Sequence, residues 1–212
     1  MAPSERPPNT ISSAVDVDGF FRELVGQAIN HSGFEPSTAG ASYVVSLLAD
    51  SAKPNASPLN VMGEVMGESS FTLMLAKALE SHGAARFEKL RLLGDGVLYV
   101  SGFFSEHLER RGLAPYYVRG LGATAYGNAA SMLRSVGSSS TGPDVFSELS
   151  HNFERFVQLI NVVSEELSAR AVRDDASLLD MYERWLKVQS DHLAELLIAQ
   201  GVLPQRKTPG LH

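Results

Sequence analysis

The chain has 212 residues, of which 44% are apolar, the ordinary share for a protein that closes a core. It has no cysteine and a net charge of -6, which exclude disulfides, thiolate metal sites and cysteine nucleophiles. The acidic balance opposes a phosphate-binding groove and a polybasic membrane attachment, so neither nucleic acid nor a membrane is expected as a partner. No apolar run approaches the roughly 20 residues of a membrane helix, and the N-terminus lacks a signal-peptide core, so a cytoplasmic location is expected.

Residues 1–14 hold three prolines and no apolar period and read as a disordered tail. Asp16 or Asp18 is expected to cap a first helix carrying Phe20, Phe21, Leu24, Val25 and Ile29, ended by His31-Ser-Gly33. Pro36 fits the first turn of a second, with Tyr43, Val44, Leu47 and Leu48 on one face. Pro54, Pro58, Gly63 and Gly67 make 53–69 a long loop. Ser69 or Ser70 opens a third helix that buries Phe71, Met74, Leu75, Ala78 and Leu79.

From Arg86 to Arg111, Phe87, Leu90, Leu93, Val97, Val100, Phe104 and His107/Leu108 recur at helical spacing, which predicts one long helix. Gly112-Leu-Ala-Pro115 is its turn, and Tyr116 to Val136 returns as another helix. Residues 137–143 read as a linker, with Thr141 and Asp144 three apart like a capping box. Val145, Leu149, Phe153, Phe156, Ile160, Val163 and Leu167 then form an a/d-like stripe. Arg173-Asp-Asp175 opens a last helix through Leu178, Tyr182, Trp185, Leu193 and Leu196, stopped by Gly201 and Pro204. Residues 205–212 read as a frayed tail.

The expected fold is all-α: about seven helices in one domain over 15–204. A bundle over 15–136 surrounds the Gly-rich hairpin 86–134, and 144–201 forms a long antiparallel pair.

The hairpin is the oddest composition. Gly94, Gly96, Gly102, Gly120, Gly122 and Gly127 fall inside helices, where each costs about 1 kcal/mol against alanine. Close helix packing offsets that cost in one reading; a cavity, or the close approach of a partner's backbone, does so in the other. Asp95 lies near the apolar side of its helix and needs a partner. Arg119 is the natural one, with Tyr116, Tyr117 or Tyr126 as hydroxyl donors. The segment carries seven Lys/Arg against four Asp/Glu between acidic flanks.

Other chemistry is thin. Glu148-x-x-His151-x-x-Glu154 has one helix's worth of a di-iron motif, but no second Glu-x-x-His exists. His107 follows Glu106 and could be an oriented base. His31, His82 and His192 stand in no constellation, and no Gly-x-Ser-x-Gly elbow occurs. No catalytic residue, metal site or cofactor is therefore expected.

The leading functional expectation is a non-catalytic regulatory or adaptor protein acting through a protein partner, with a homodimer through the 145–167 stripe as one form. A second is a small-molecule sensor or carrier whose pocket is lined by Asp95, Tyr116, Tyr117, Arg119, Tyr126 and His107. A third is an enzyme using Asp95, His107 or Arg119.

Overall fold

A computed structural model describes residues 13–53, 71–135 and 144–205. Among them are ten helices and no strand, so the protein is all-α. The long loop expected at 53–69 apart from residue 53, the serines expected to open the third helix, Thr141, the linker and nearly all of the two tails lie outside the described residues.

Helix α1 spans Ser13–Ser32 and α2 Thr38–Ser51. Asp16 and Asp18 therefore lie inside α1 rather than capping it. Gly33 ends that helix with φ 61°, a left-handed turn in which glycine carries no Cβ penalty. Helix α2 is capped by Ser37, whose side chain accepts from the Gly40 N–H. Pro36 precedes that cap instead of sitting in the first turn. Glu148 in turn accepts hydrogen bonds from the Ser37 backbone N–H, at 2.7 Å, and from its hydroxyl.

Helix α3 (Phe71–Glu80) leads into α4 (Gly83–Phe103), α5 (Ser105–Arg110) and α6 (Pro115–Ser135). The single helix expected over 86–111 is broken at Phe104. The break is shallow, because Phe104 N–H still reaches the Val100 carbonyl at 2.8 Å. That is why the apolar period runs through it. The segment carrying the 145–167 stripe is likewise divided at Asn152 into α7 (Val145–His151) and α8 (Phe153–Ala171). Asn152 N–H still bonds the Glu148 carbonyl, and Phe156 N–H the Asn152 carbonyl. Asp144, not Thr141, caps α7.

The C-terminal segment differs more. Asp174 caps α9 (Asp175–Val188) in a capping box with Ser177. Gln189 then turns left-handed, with φ 53°, and Ser190 caps a separate helix, α10 (Asp191–Ala199). The expected long last helix is thus two short ones.

Helices α4 and α6 form the central antiparallel pair. Helices α3, α7 and α8 pack around it, and α1 lies on α8 and α2. The stripe residues Leu149, Phe153, Phe156, Ile160 and Val163 are buried in this main core. Val145 and Leu167, at the two ends of the stripe, are partly buried against the same core. A second, smaller cluster joins Ala169, Met181, Trp185, Leu193 and Leu197 across α8, α9 and α10.

Glycine sets how closely the central helices approach. A methyl on Gly94 would stand 2.6 Å from two ring carbons of Tyr126. On Gly122 it would lie 2.5 Å from Phe153 Cζ and 2.7 Å from Val97 Cγ1. On Gly102 it would overlap Ile160 Cγ2 and lie 2.7 Å from Ile160 Cβ. An Ile Cβ cannot swing away, so α4 and α8 must separate. Gly102→Ala is therefore expected to destabilise. Overpacking costs about 1–3 kcal/mol and exceeds the roughly 1 kcal/mol that alanine adds in helix propensity. A lower denaturation midpoint at unchanged slope would register this; a raised midpoint would show that the contact yields.

Candidate functional site

Three candidate places emerge, and the expected site residues are divided among them.

The first is Asp95, only 4% exposed. Its Oδ1 accepts from the Tyr126 hydroxyl at 2.7 Å and the Tyr43 hydroxyl at 2.5 Å, and its Oδ2 from Arg91 Nη1 at 2.9 Å. Arg91 is held from its other side by Glu88 at 2.6 Å. One carboxylate so ties α2, α4 and α6 together. Burial pushes the Asp95 carboxyl above its usual range, opposed by the two tyrosine hydroxyls and Arg91. Burial and the adjoining carboxylate raise both tyrosines, so their hydroxyls stay protonated and donate. Phe146 fills the space beside them, with ring centroids 5.5 Å from Tyr43 and 5.9 Å from Tyr126. Both carboxylate oxygens are engaged among packed rings.

The expected Asp95–Arg119 pair does not form. Arg119 bonds Glu154 at 2.5 Å instead. Register explains this. Tyr126 is seven residues beyond Arg119, two turns or about 10.5 Å of rise. The antiparallel alignment that sets Tyr126 on Asp95 carries Arg119 two turns away. Arg91 supplies the charge from one turn earlier on the same helix, an i,i+4 spacing readable in the sequence.

The second place is a shallow groove of about 370 Å³ along α6 and the start of α8. Tyr116, Tyr117, Arg119, Gly120, Thr124 and Phe153 line it. Tyr116 is 90% exposed; Tyr117 is half exposed, and its hydroxyl lies 2.8 Å from Thr72 Oγ1. Gly120 differs from Gly94, Gly102, Gly122 and Gly127, because a methyl there would meet nothing within 4 Å.

The third is a deeper cavity of about 500 Å³ where the α4–α5 break faces α8, α9 and Ser190. His107, Arg110, Glu165 and Arg184 line it. The buried His107 Nε2 has no hydrogen-bond partner. Burial raises the Glu165 carboxyl, against a hydrogen bond from Ser190 at 3.0 Å and the nearby Arg184.

Asp95 and Tyr126 are therefore interior, Tyr116, Tyr117 and Arg119 share the groove, and His107 belongs to the cavity. Asp95, His107 and Arg119 fall in three different surroundings. The Glu148–His151–Glu154 series also disperses. Glu148 holds Ser37, His151 Nδ1 lies 2.7 Å from its own helix's Ser147 carbonyl, and Glu154 holds Arg119.

No family model, no curated protein and no solved structure matches this chain. No helix among the described residues is long and apolar enough to cross a membrane.

Proposed function

We propose that this is a non-catalytic binding protein that docks another protein in the groove along Tyr116–Thr124. The observation that carries this reading is Gly120. Gly94, Gly102 and Gly122 are accounted for by contacts within the chain; Gly120 is not. An exposed glycine inside a helix costs about 1 kcal/mol for no internal return. A partner's main chain laid against it would use the space. The flanking tyrosines support the same reading, since large aromatics at low entropic cost commonly anchor interfaces. The Arg119–Glu154 pair gives the groove a polar edge.

Gly120→Ala is expected to stabilise the isolated chain by about 1 kcal/mol, read from the denaturation midpoint. Docking is tested by a photocrosslinking residue at position 116, in cells, with and without Gly120→Leu. The expected result is a discrete protein adduct that Gly120→Leu abolishes while the fold persists. The same adduct with and without Gly120→Leu, or none, would sink the reading. An adduct of twice the chain's mass would identify the partner as a second copy.

A second reading, a small-molecule sensor or carrier, moves from Asp95 to the cavity at His107. It is favoured by a volume within the range of ligand sites and by the unpartnered His107 nitrogen beside Arg110 and Arg184. Ligand-induced perturbation of the His107 ring resonances, without change at Tyr116, would select it over the groove.

A further inference from the structure

Three polar side chains from two helices far apart in the sequence converge where the end of α1 meets α10. One ligand atom from each of His31, His192 and Glu195 lies within 4.8 Å of the others. The two imidazole rings have centroids 4.0 Å apart and are tilted by 52°. His31 Nδ1 stands 3.9 Å from Glu195 Oε2. Positions 192 and 195 are three apart on α10 and so share a face. His31 arrives from the last turn of α1, just before the chain reverses at Gly33.

His192 is 8% exposed, and its Nδ1 has no hydrogen-bond partner. Buried polar atoms are almost always satisfied, so an imidazole like this calls for something to take its lone pair. Glu166 Oε1 faces the other ring nitrogen, 3.3 Å from His192 Nε2. That is the place of the carboxylate that orients a metal-bound imidazole.

We propose that His31, His192 and Glu195 bind a divalent transition-metal ion, zinc foremost, with Glu166 positioning the His192 ring. Two imidazole nitrogens and one carboxylate oxygen suit zinc and leave a fourth position to water. Zinc bonds of about 2.0–2.2 Å need ligand atoms about 3.4 Å apart, so the three must close somewhat. The packed His192 is the fixed point. The His31 and Glu195 side chains, 33% and 69% exposed, are free to move onto it. The ion would fasten α10, and with it the smaller core, to the end of α1.

The test is zinc titration of the tag-free, chelator-treated full chain by calorimetry, with melting curves in zinc and in magnesium. One zinc per chain is expected. At a hundredfold zinc over Kd the melting temperature should rise by about 5–10 °C, and magnesium should not reproduce this. His31→Ala and Glu195→Gln alter exposed side chains and should fold, but weaken zinc by about tenfold or more. Glu166→Gln should weaken zinc while leaving the metal-free melting temperature unchanged, which a merely structural role would not do. His151→Ala, at an exposed histidine elsewhere, should change nothing. No stoichiometric binding, or binding that His31→Ala and Glu195→Gln leave intact, overturns the assignment.

Discussion

Asp95→Ala is expected to destabilise the protein by about 3–4 kcal/mol, among the largest losses any single side chain here can produce. The reason is what it strands. Tyr126 is fully buried, and its hydroxyl donates to Asp95. Tyr43 donates to the same oxygen. Removing the acceptor leaves two hydroxyls without one in the interior, each costing about 1–3 kcal/mol. Arg91 loses less, since Glu88 still holds it and part of it reaches water. The double variant Asp95→Ala, Tyr126→Phe should then be no worse than Asp95→Ala alone, because it removes one of the stranded groups. If the two losses simply add, the hydrogen bonds are not what the aspartate contributes.

The same carboxylate has a pH signature. Burial raises its folded pKa above the ordinary 3.8, so the folded chain holds the proton more tightly than the unfolded one. The stability associated with that proton is fully present below the unfolded value and is lost as pH rises from there through the folded value. Asp95→Asn cannot titrate. Its deficit against the unaltered protein should therefore be larger at acid pH and shrink as pH rises through that window, read from denaturation at several pH values. A deficit that grows with pH would mean that the Arg91 pairing outweighs desolvation.

The all-α class was legible because spacings of three and four run through every long apolar segment, and no alternation competes. Local stops were legible where chemistry marks them: Gly33 after α1, Asp174 before α9 and Gly201 after α10. The breaks at Phe104 and Asn152 were not, because the backbone ladder almost continues there and the apolar stripe never loses phase. Ser190-Asp191 did carry a capping signal, a serine followed by an acidic first turn, and it was outweighed by the apolar period on either side. That Asp95 is buried and paired could be inferred from its position. Its partner could not, since choosing Arg91 over Arg119 requires the register between α4 and α6. The grouping of His31 with His192 and Glu195 is further still from local sequence, because it depends on how α10 returns to the end of α1.

That return gives the last prediction its form. Trp185, Leu193 and Leu197 are fully buried, but in the smaller cluster and not in the main core. Leu193→Ala should remove about 2–5 kcal/mol of packing, and the loss should fall on α9 and α10 first. The bundle of α1 to α8 keeps its own core and the Asp95 tie. Trp185 is the chain's single tryptophan, so its fluorescence reports this unit alone, while far-UV circular dichroism reports the helices of the whole chain together. In Leu193→Ala the fluorescence transition should move to markedly lower denaturant and separate from the main circular dichroism transition. Two transitions that shift together would mean that the contacts of α8 and α1 with α10 bind the small core into one cooperative unit. If they do separate, zinc should draw them back together, because an ion shared by His31 and α10 couples the stability of the smaller core to that of the bundle.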